Sequence, residues 1–272
     1  MQIYNRIKKA RGAIFWALIV IAIVELYARE SRVSKDIARL HRENWYDNEK
    51  QLVEGLVQGC AVHQRVEWLP LYFVERLFGT CHELRKAPLA NTHLSGAKLS
   101  GARFSYVNFR NADLSHANLS YADLSDCKFD NANLFSADLS FADFSDTNLF
   151  DATLRNADLS GADFSSAFLP ETDLTNANLN NAVFSYANLY KTDLRAAILL
   201  NTNLDPAVNL TLQQLEGDNP PFICNARFPK YIEIDSNRDC DQLAQVLHQR
   251  YPKQFESLQK AEDYVNKQRQ KG

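Results

Sequence analysis

No stretch of this 272-residue chain reaches the roughly twenty consecutive apolar residues that a membrane-spanning helix wants. The longest uninterrupted run, 12–24, holds 13. Neither charge is in surplus: 30 Lys and Arg stand against 33 Asp and Glu, net −3. That balance argues against general nucleic-acid binding. Also absent are G-x-G-x-x-G, a phosphate loop, H-E-x-x-H and G-x-S-x-G. No motif therefore announces nucleotide, zinc-hydrolase or serine-hydrolase chemistry. The expectation is a chain without catalytic activity, cofactor, metal or small-molecule substrate.

What the sequence does have is a rhythm. From Leu94 to Leu204, stepping by five, all 23 positions are Leu or Phe, the Phe cases being 104, 109, 129, 144, 164 and 184. Two residues before each stands a small residue, mostly Ala, otherwise Thr92, Val107, Cys127, Thr147, Thr172, Thr192 or Thr202. A fixed internal period takes precedence over local propensity, and five fits neither the helical nor the strand template. With the large residue as position i, i and i−2 point inward while i−1, i+1 and i+2 are polar. A chain that turns a corner every five residues and closes a square in twenty meets this pattern. Its backbone groups then pair with the coils above and below, about 4.8 Å away, so the buried amides are satisfied.

Ala112-Asp113-Leu114-Ser115, Ala122-Asp123-Leu124-Ser125, Ala157-Asp158-Leu159-Ser160 and Ala177-Asn178-Leu179 carry the A(D/N)LXX pattern, and here the chain resembles the pentapeptide-repeat family. The resemblance implies an all-β solenoid core, a right-handed quadrilateral β-helix of nearly six coils over 91–206, about 28 Å long. α-Helical flanks are expected on both sides.

Before the repeats lie a basic flank (1–11) with Arg6, Lys8, Lys9 and Arg11, then the apolar segment 12–28, interrupted by Glu25. Three readings compete: a single membrane anchor, a cleaved signal peptide and a peripheral helix. Leu26-Tyr27-Ala28 is a poor cleavage site, and the anchor is the reading adopted. Four basic residues on each side tie under the positive-inside rule. The shorter N-terminal flank and the paired cysteines tilt the β-helix to the non-cytoplasmic side, periplasm or lumen. Residues 29–90 read as a helical linker and N-terminal cap, since an open coil end presents unpaired edges and a bare core. Cys60, His63, Cys81 and His82 have irregular spacing for zinc; Cys60 and Cys81 are instead candidate disulfide cysteines, as are Cys224 and Cys240. Cys127 sits at an inward small-residue position and reads as a buried thiol.

Residues twenty apart stack on one side. Asp138 and Asp158, then Asp123, Asp143 and Asp163, form acidic ladders that should repel without water or cations between them. Residues 91–206 hold 14 Asp or Glu against 7 Lys or Arg. Some members of the family use an acidic rod as a DNA mimic that occupies type II topoisomerases, and that is the alternative function the resemblance implies. A less generic feature is a row of aromatics at outward positions on one side: Phe150, Phe168 with Pro170, and Tyr190. Tyr121 and Phe141 stack one coil apart along a corner. Exposed apolar clusters mark partner surfaces unless a flank folds back over them, and these six are the candidate protein-binding residues.

After Pro206 the period stops. The C-terminal segment 207–272 reads as a short helix from Thr211 ended by Gly217 and Pro220-Pro221, a helix with Asp239 as N-cap, and a last helix from about Gln254 to Arg269. The whole reads as a membrane-anchored, non-catalytic interaction or scaffolding module.

Overall fold

The computed structural model describes residues 89–270 together with Lys50, Val53, Glu54 and Ala87. The apolar segment 12–28 and the cysteines Cys60 and Cys81, like His63 and His82, lie outside the described residues. No helix among those described is long and apolar enough to cross a membrane.

Each five-residue unit solves one problem, which is where its amides go. The central Leu or Phe donates its N–H to the next coil, as Leu114 N does to Asn133 O at 2.7 Å, and the i+2 residue does the same, as His116 N does to Phe135 O at 2.8 Å. The i−1 amide donates to the previous coil, as Asp113 N does to Thr92 O at 2.9 Å, and the i−2 amide closes a turn, as Ala117 N does to Leu114 O at 3.1 Å. Position i+2 has φ of +54 to +71° from Gly96 to Asn201, the sign required at the third residue of a type II turn. Parallel bridges join i−1 residues twenty apart, from His93↔Asp113 to Asn188↔Val208. The result is a four-sided coil with first to fourth faces centred on Leu194, Leu199, Leu204 and Leu189 and their partners in earlier coils.

The fifth amide, at i+1, has no backbone partner, and the residue at i−1 supplies one. Ser125 N donates to Asp123 Oδ1 at 3.2 Å, Ser140 N to Asp138 Oδ1 at 3.2 Å, Phe150 N to Asn148 Oδ1 at 3.0 Å and Ser165 N to Asp163 Oδ1 at 2.9 Å. This local side-chain bond is why Asp and Asn dominate at i−1. The Thr exceptions at i−2 have a reason too. Thr147, Thr172, Thr192 and Thr202 donate their hydroxyls at 2.7–3.0 Å to the central carbonyl 23 residues earlier. Cys127 Sγ does likewise to Phe104 O, and burial pushes its thiol up to about 12.

The core is the column of central residues, buried throughout. Phe144, Phe164 and Phe184 stack on the third face with centroids 4.8 and 4.7 Å apart. The core reaches beyond the expected 91–206. Ala87 and Leu89 join it at the start, and Leu215, Ile223 and Ala226 close it at the end. At the N-terminal end Val53 is buried in the core. Lys50 Nζ donates to Ser95 O, and Lys98 N donates to Glu54 Oε1, both at 2.8 Å.

At the other end, strand β1 (Ile198–Leu200) pairs in parallel with β2 (Phe222–Cys224). The offset grows from 20 residues to 24 because helix α1 (Leu212–Leu215) and its flanking loop intervene. Helices α2 (Cys240–Arg250) and α3 (Leu258–Arg269) form a hairpin beside the rod. The last helix begins at Leu258, not near Gln254, because Ser257 caps it by accepting from Lys260 N. Asp239 precedes α2, yet its carboxylate does not cap that helix; Asp239 Oδ2 accepts from Ile223 N at 2.9 Å and ties α2 to β2. Cys224 and Cys240 make a disulfide across the same junction. It closes a loop of 16 residues, which in the loop-entropy account stabilises by about 3 kcal/mol. Replacing both cysteines by Ser should lower the denaturant-derived stability by about that amount, measured against the oxidised chain. The change should also fray the hairpin before the repeats.

Candidate functional site

The C-terminal hairpin selects one side of the rod. On the second face the outward residues are polar from Lys98 and Ser100 up to Asn178 and Asn180, and then become Ile198 and Leu200. These two are buried under Leu243, Ala244, Leu247, Phe255, Ala261 and Val265. The departure from the polar rule is visible in the sequence, where i−1 and i+1 are otherwise polar on this face; the five-residue period assigns only i and i−2 to the interior and carries no signal for a flank docked outside. Arg250 reinforces the docking. Its Nη1 donates to Ala196 O at 2.6 Å, its guanidinium lies 5.1 Å over the Phe222 ring, and burial lowers its pKa.

With the hairpin on the second face, the fourth face keeps its aromatics in solvent. Phe150 is 39% exposed, Phe168 43% and Tyr190 49%. Phe150 and Tyr190 share the i+1 column two coils apart, and Phe168 stands at i−1 between them in height. Pro170, expected at the surface with them, is buried, because it sits in that column between Phe150 and Tyr190. It therefore supports the row and does not present it. Lys191 Nζ lies 5.2 Å over the Tyr190 ring and 3.2 Å from Glu171 Oε1 one coil below. The row thus has a charged margin.

The corner after the second face carries the other aromatic pair. Tyr121 and Phe141 are exposed and stacked at 5.0 Å and 9°. The column continues through Gly161, where an added Cβ would stand 2.6 Å from the Phe141 ring. The absent side chain lets that ring lie flat on the backbone of the next coil. Beyond it, the amides of Asn181, Asn201 and Asn225 bond in series at 2.9 and 2.7 Å.

The acidic ladders have a structural occupation. Asp123, Asp138, Asp143, Asp158 and Asp163 each accept from the amide two residues on. Repulsion between stacked carboxylates is therefore opposed within each unit by a charge-assisted bond of the order of 1.5–3 kcal/mol. On the third face Asp126 and Asp146 add carboxylates at the corner without such a bond.

A cleft of about 710 Å³ opens at the C-terminal end between 190–195 and the loop 209–218. Gln214 closes part of it. Thr211 N and Oγ1 donate to its Oε1 at 2.8 and 2.9 Å, and its Nε2 donates to Leu189 O at 2.8 Å and Thr192 O at 2.9 Å. One side chain thus stands in for two donors of the coil that would come next. Its role carries no periodic signal.

The pentapeptide repeats family matches in eight copies over 83–115, 92–131, 112–151, 127–165 and 169–201. No curated protein sequence matches the chain. Among solved structures the chain is similar to trypsin-treated QnrB1, a plasmid-mediated fluoroquinolone resistance protein, at 17% identity, covering 52% of this chain and 82% of that one with a TM-score of 0.28. It is similar to a pentapeptide repeat protein of the Arabidopsis thaliana thylakoid lumen at 29% identity, over 44% and 68%, TM-score 0.25. It is also similar to Rfr23 of the cyanobacterium Cyanothece 51142 at 27% identity, over 36% and 60%, TM-score 0.23.

Gln214→Ala should cost about 1–3 kcal/mol in denaturant unfolding by leaving the Thr192 carbonyl without a donor, the Leu189 carbonyl keeping the Thr192 amide at 3.1 Å. Its exposed neighbour Gln213→Ala should stay within about 0.5 kcal/mol of the parent chain.

Proposed function

With residues 83–201 carrying pentapeptide repeats, we propose that the chain is a non-catalytic protein-interaction module that presents its fourth face to a protein partner. The segment 12–28 would hold it at a membrane, with the β-helix on the non-cytoplasmic side. One observation carries the reading: Phe150, Phe168 and Tyr190 stand in solvent on one face while the chain's own C-terminal hairpin docks on another. Rigid aromatics on a stiff scaffold lose little conformational freedom on contact, and such residues dominate interface energies. Tyr121 and Phe141 offer a second, smaller contact at the corner. Four amides of each unit find backbone partners and the i−1 side chain serves the fifth, so the outward side chains at i+1, such as Phe150 and Tyr190, are free to vary without endangering the fold.

A second reading keeps a specific observation. On the third face Asp123, Asp126, Asp143, Asp146 and Asp163 span three coils with no Lys or Arg among them. That surface suits the DNA-mimic role toward a type II topoisomerase. It requires the rod to share a compartment with the enzyme.

Phe150→Ser combined with Tyr190→Ser should weaken partner capture from membrane and envelope extracts at least about thirtyfold, two hot-spot side chains being removed. The thermal transition should scarcely move. Undiminished capture would remove the fourth face from the account. In intact cells, a membrane-impermeant thiol reagent should label Cys224 and Cys240 only after reduction if the rod lies outside the cytoplasm. Labelling confined to lysed cells would favour the acidic-mimic reading, which purified chain with Asp126→Lys and Asp146→Lys in a supercoiling assay would then test.

A further inference from the structure

The four faces do not end alike. In the last coil the second face continues through Leu199↔Ile223, the third through Asn203↔Arg227 and the fourth through Asn188↔Val208. The first face stops at Asp173↔Asp193. On that face Leu94, Leu114, Leu134, Leu154 and Leu174 each donate their amide to the coil above at 2.7–2.9 Å. Leu194 belongs to the same column, is 1% exposed, and its N–H has no acceptor among the described residues. Lys191 N–H is in the same condition, although its counterpart Glu171 N donates to Tyr190 O at 2.9 Å. Both amides belong to residues lining the 710 Å³ cleft. An unmet backbone donor on so covered a residue is rare in folded proteins.

We propose that this cleft is a strand-addition site, where an extended segment of a partner protein supplies the missing rung of the first face in parallel orientation. The occupant must bring acceptors, because Gln214 Nε2 already serves the Leu189 and Thr192 carbonyls and only donors remain open. The two donors lie three residues apart. In the coil below, the equivalent amides of Glu171 and Leu174 bond to the carbonyls of Tyr190 and Asp193, also three apart. The occupant therefore offers carbonyls at residues p and p+3 of one strand. Charge disfavours a small anion. Lys191 and Arg195 already face Glu171 and Asp193, at 3.2 and 2.9 Å, while Glu216 and Asp218 line the cleft as well. Neutral main-chain carbonyls suit such a site better than a carboxylate. Leu215 fills the core beneath, so the segment adds a backbone rung with its side chains outward, and the interaction is one of sheet-edge pairing. The site stands apart from Phe150 and Phe168, and only Tyr190 and Lys191 border both.

The probe is a phage-displayed library of random linear peptides selected on the full chain. Selected peptides, resynthesised with amidated C-termini, should slow hydrogen exchange at the Lys191 and Leu194 amides at least about tenfold. They should lose binding to Gln213→Trp, which fills the cleft from an exposed position, and keep binding to Phe150→Ser. Recovery of no binders, or binders that leave both amides unprotected, would overturn the proposal. So would equal binding to Gln213→Trp, or binding that amidation abolishes, since the latter marks a carboxylate site. Loss with Phe150→Ser but not with Gln213→Trp would assign the peptides to the aromatic face and reject the missing rung.

Discussion

The amide bond between successive coils is the constraint from which the rest of this structure follows. A chain that turns every five residues buries its backbone on every side, and a buried amide without a partner costs about 1–3 kcal/mol. Five amides per unit have to be placed. Three go to neighbouring coils, one closes the turn, and the last is taken by the Asp or Asn at i−1. The Leu or Phe column then packs inside this frame, and the small residue at i−2 leaves room at the crowded corner. Acid on the surface is thus partly a by-product of backbone satisfaction. The acidic ladder is weak evidence for a charged ligand where it consists of i−1 residues alone, and stronger where Asp126 and Asp146 extend it.

The same constraint makes the two ends special. Glu54 receives the Lys98 amide at the start, and Gln214 covers two carbonyls at the finish. Ends closed by side chains can be left incomplete in one place, and the first face is incomplete at Leu194. The hairpin of α2 and α3 is a different device. It covers two apolar side chains on the flank of the rod and is pinned by Asp239 and by the Cys224–Cys240 disulfide. It occupies the second face, while Phe150, Phe168 and Tyr190 on the fourth stay exposed.

How much of this was legible in the sequence depends on the range over which each signal acts. The solenoid was fully legible, because every unit repeats the same local solution and 23 central positions agree. The exposed row of Phe150, Phe168 and Tyr190 followed from counting by twenty. Pro170 did not follow, since its burial depends on the size of its neighbours in the column and not on its position. Gln214 and Glu54 were illegible: each acts on residues more than twenty positions away, and neither sits in a repeat. The docking face of the hairpin lay between these cases. Ile198 and Leu200 broke the polar rule in plain sight, but only a partner surface explains them.

The account rests on amide pairing, so residue-resolved hydrogen exchange of the unliganded chain tests it most directly. The expected pattern has a period of five over 109–189, with central amides such as Leu114, Leu134 and Leu174 opening only in global unfolding. The i+1 amides, held by side chains, should exchange faster. Leu194 should break the column by exchanging far faster than Leu174 despite comparable burial. Protection without a five-residue period, or a Leu194 amide as slow as that of Leu174, would contradict the account.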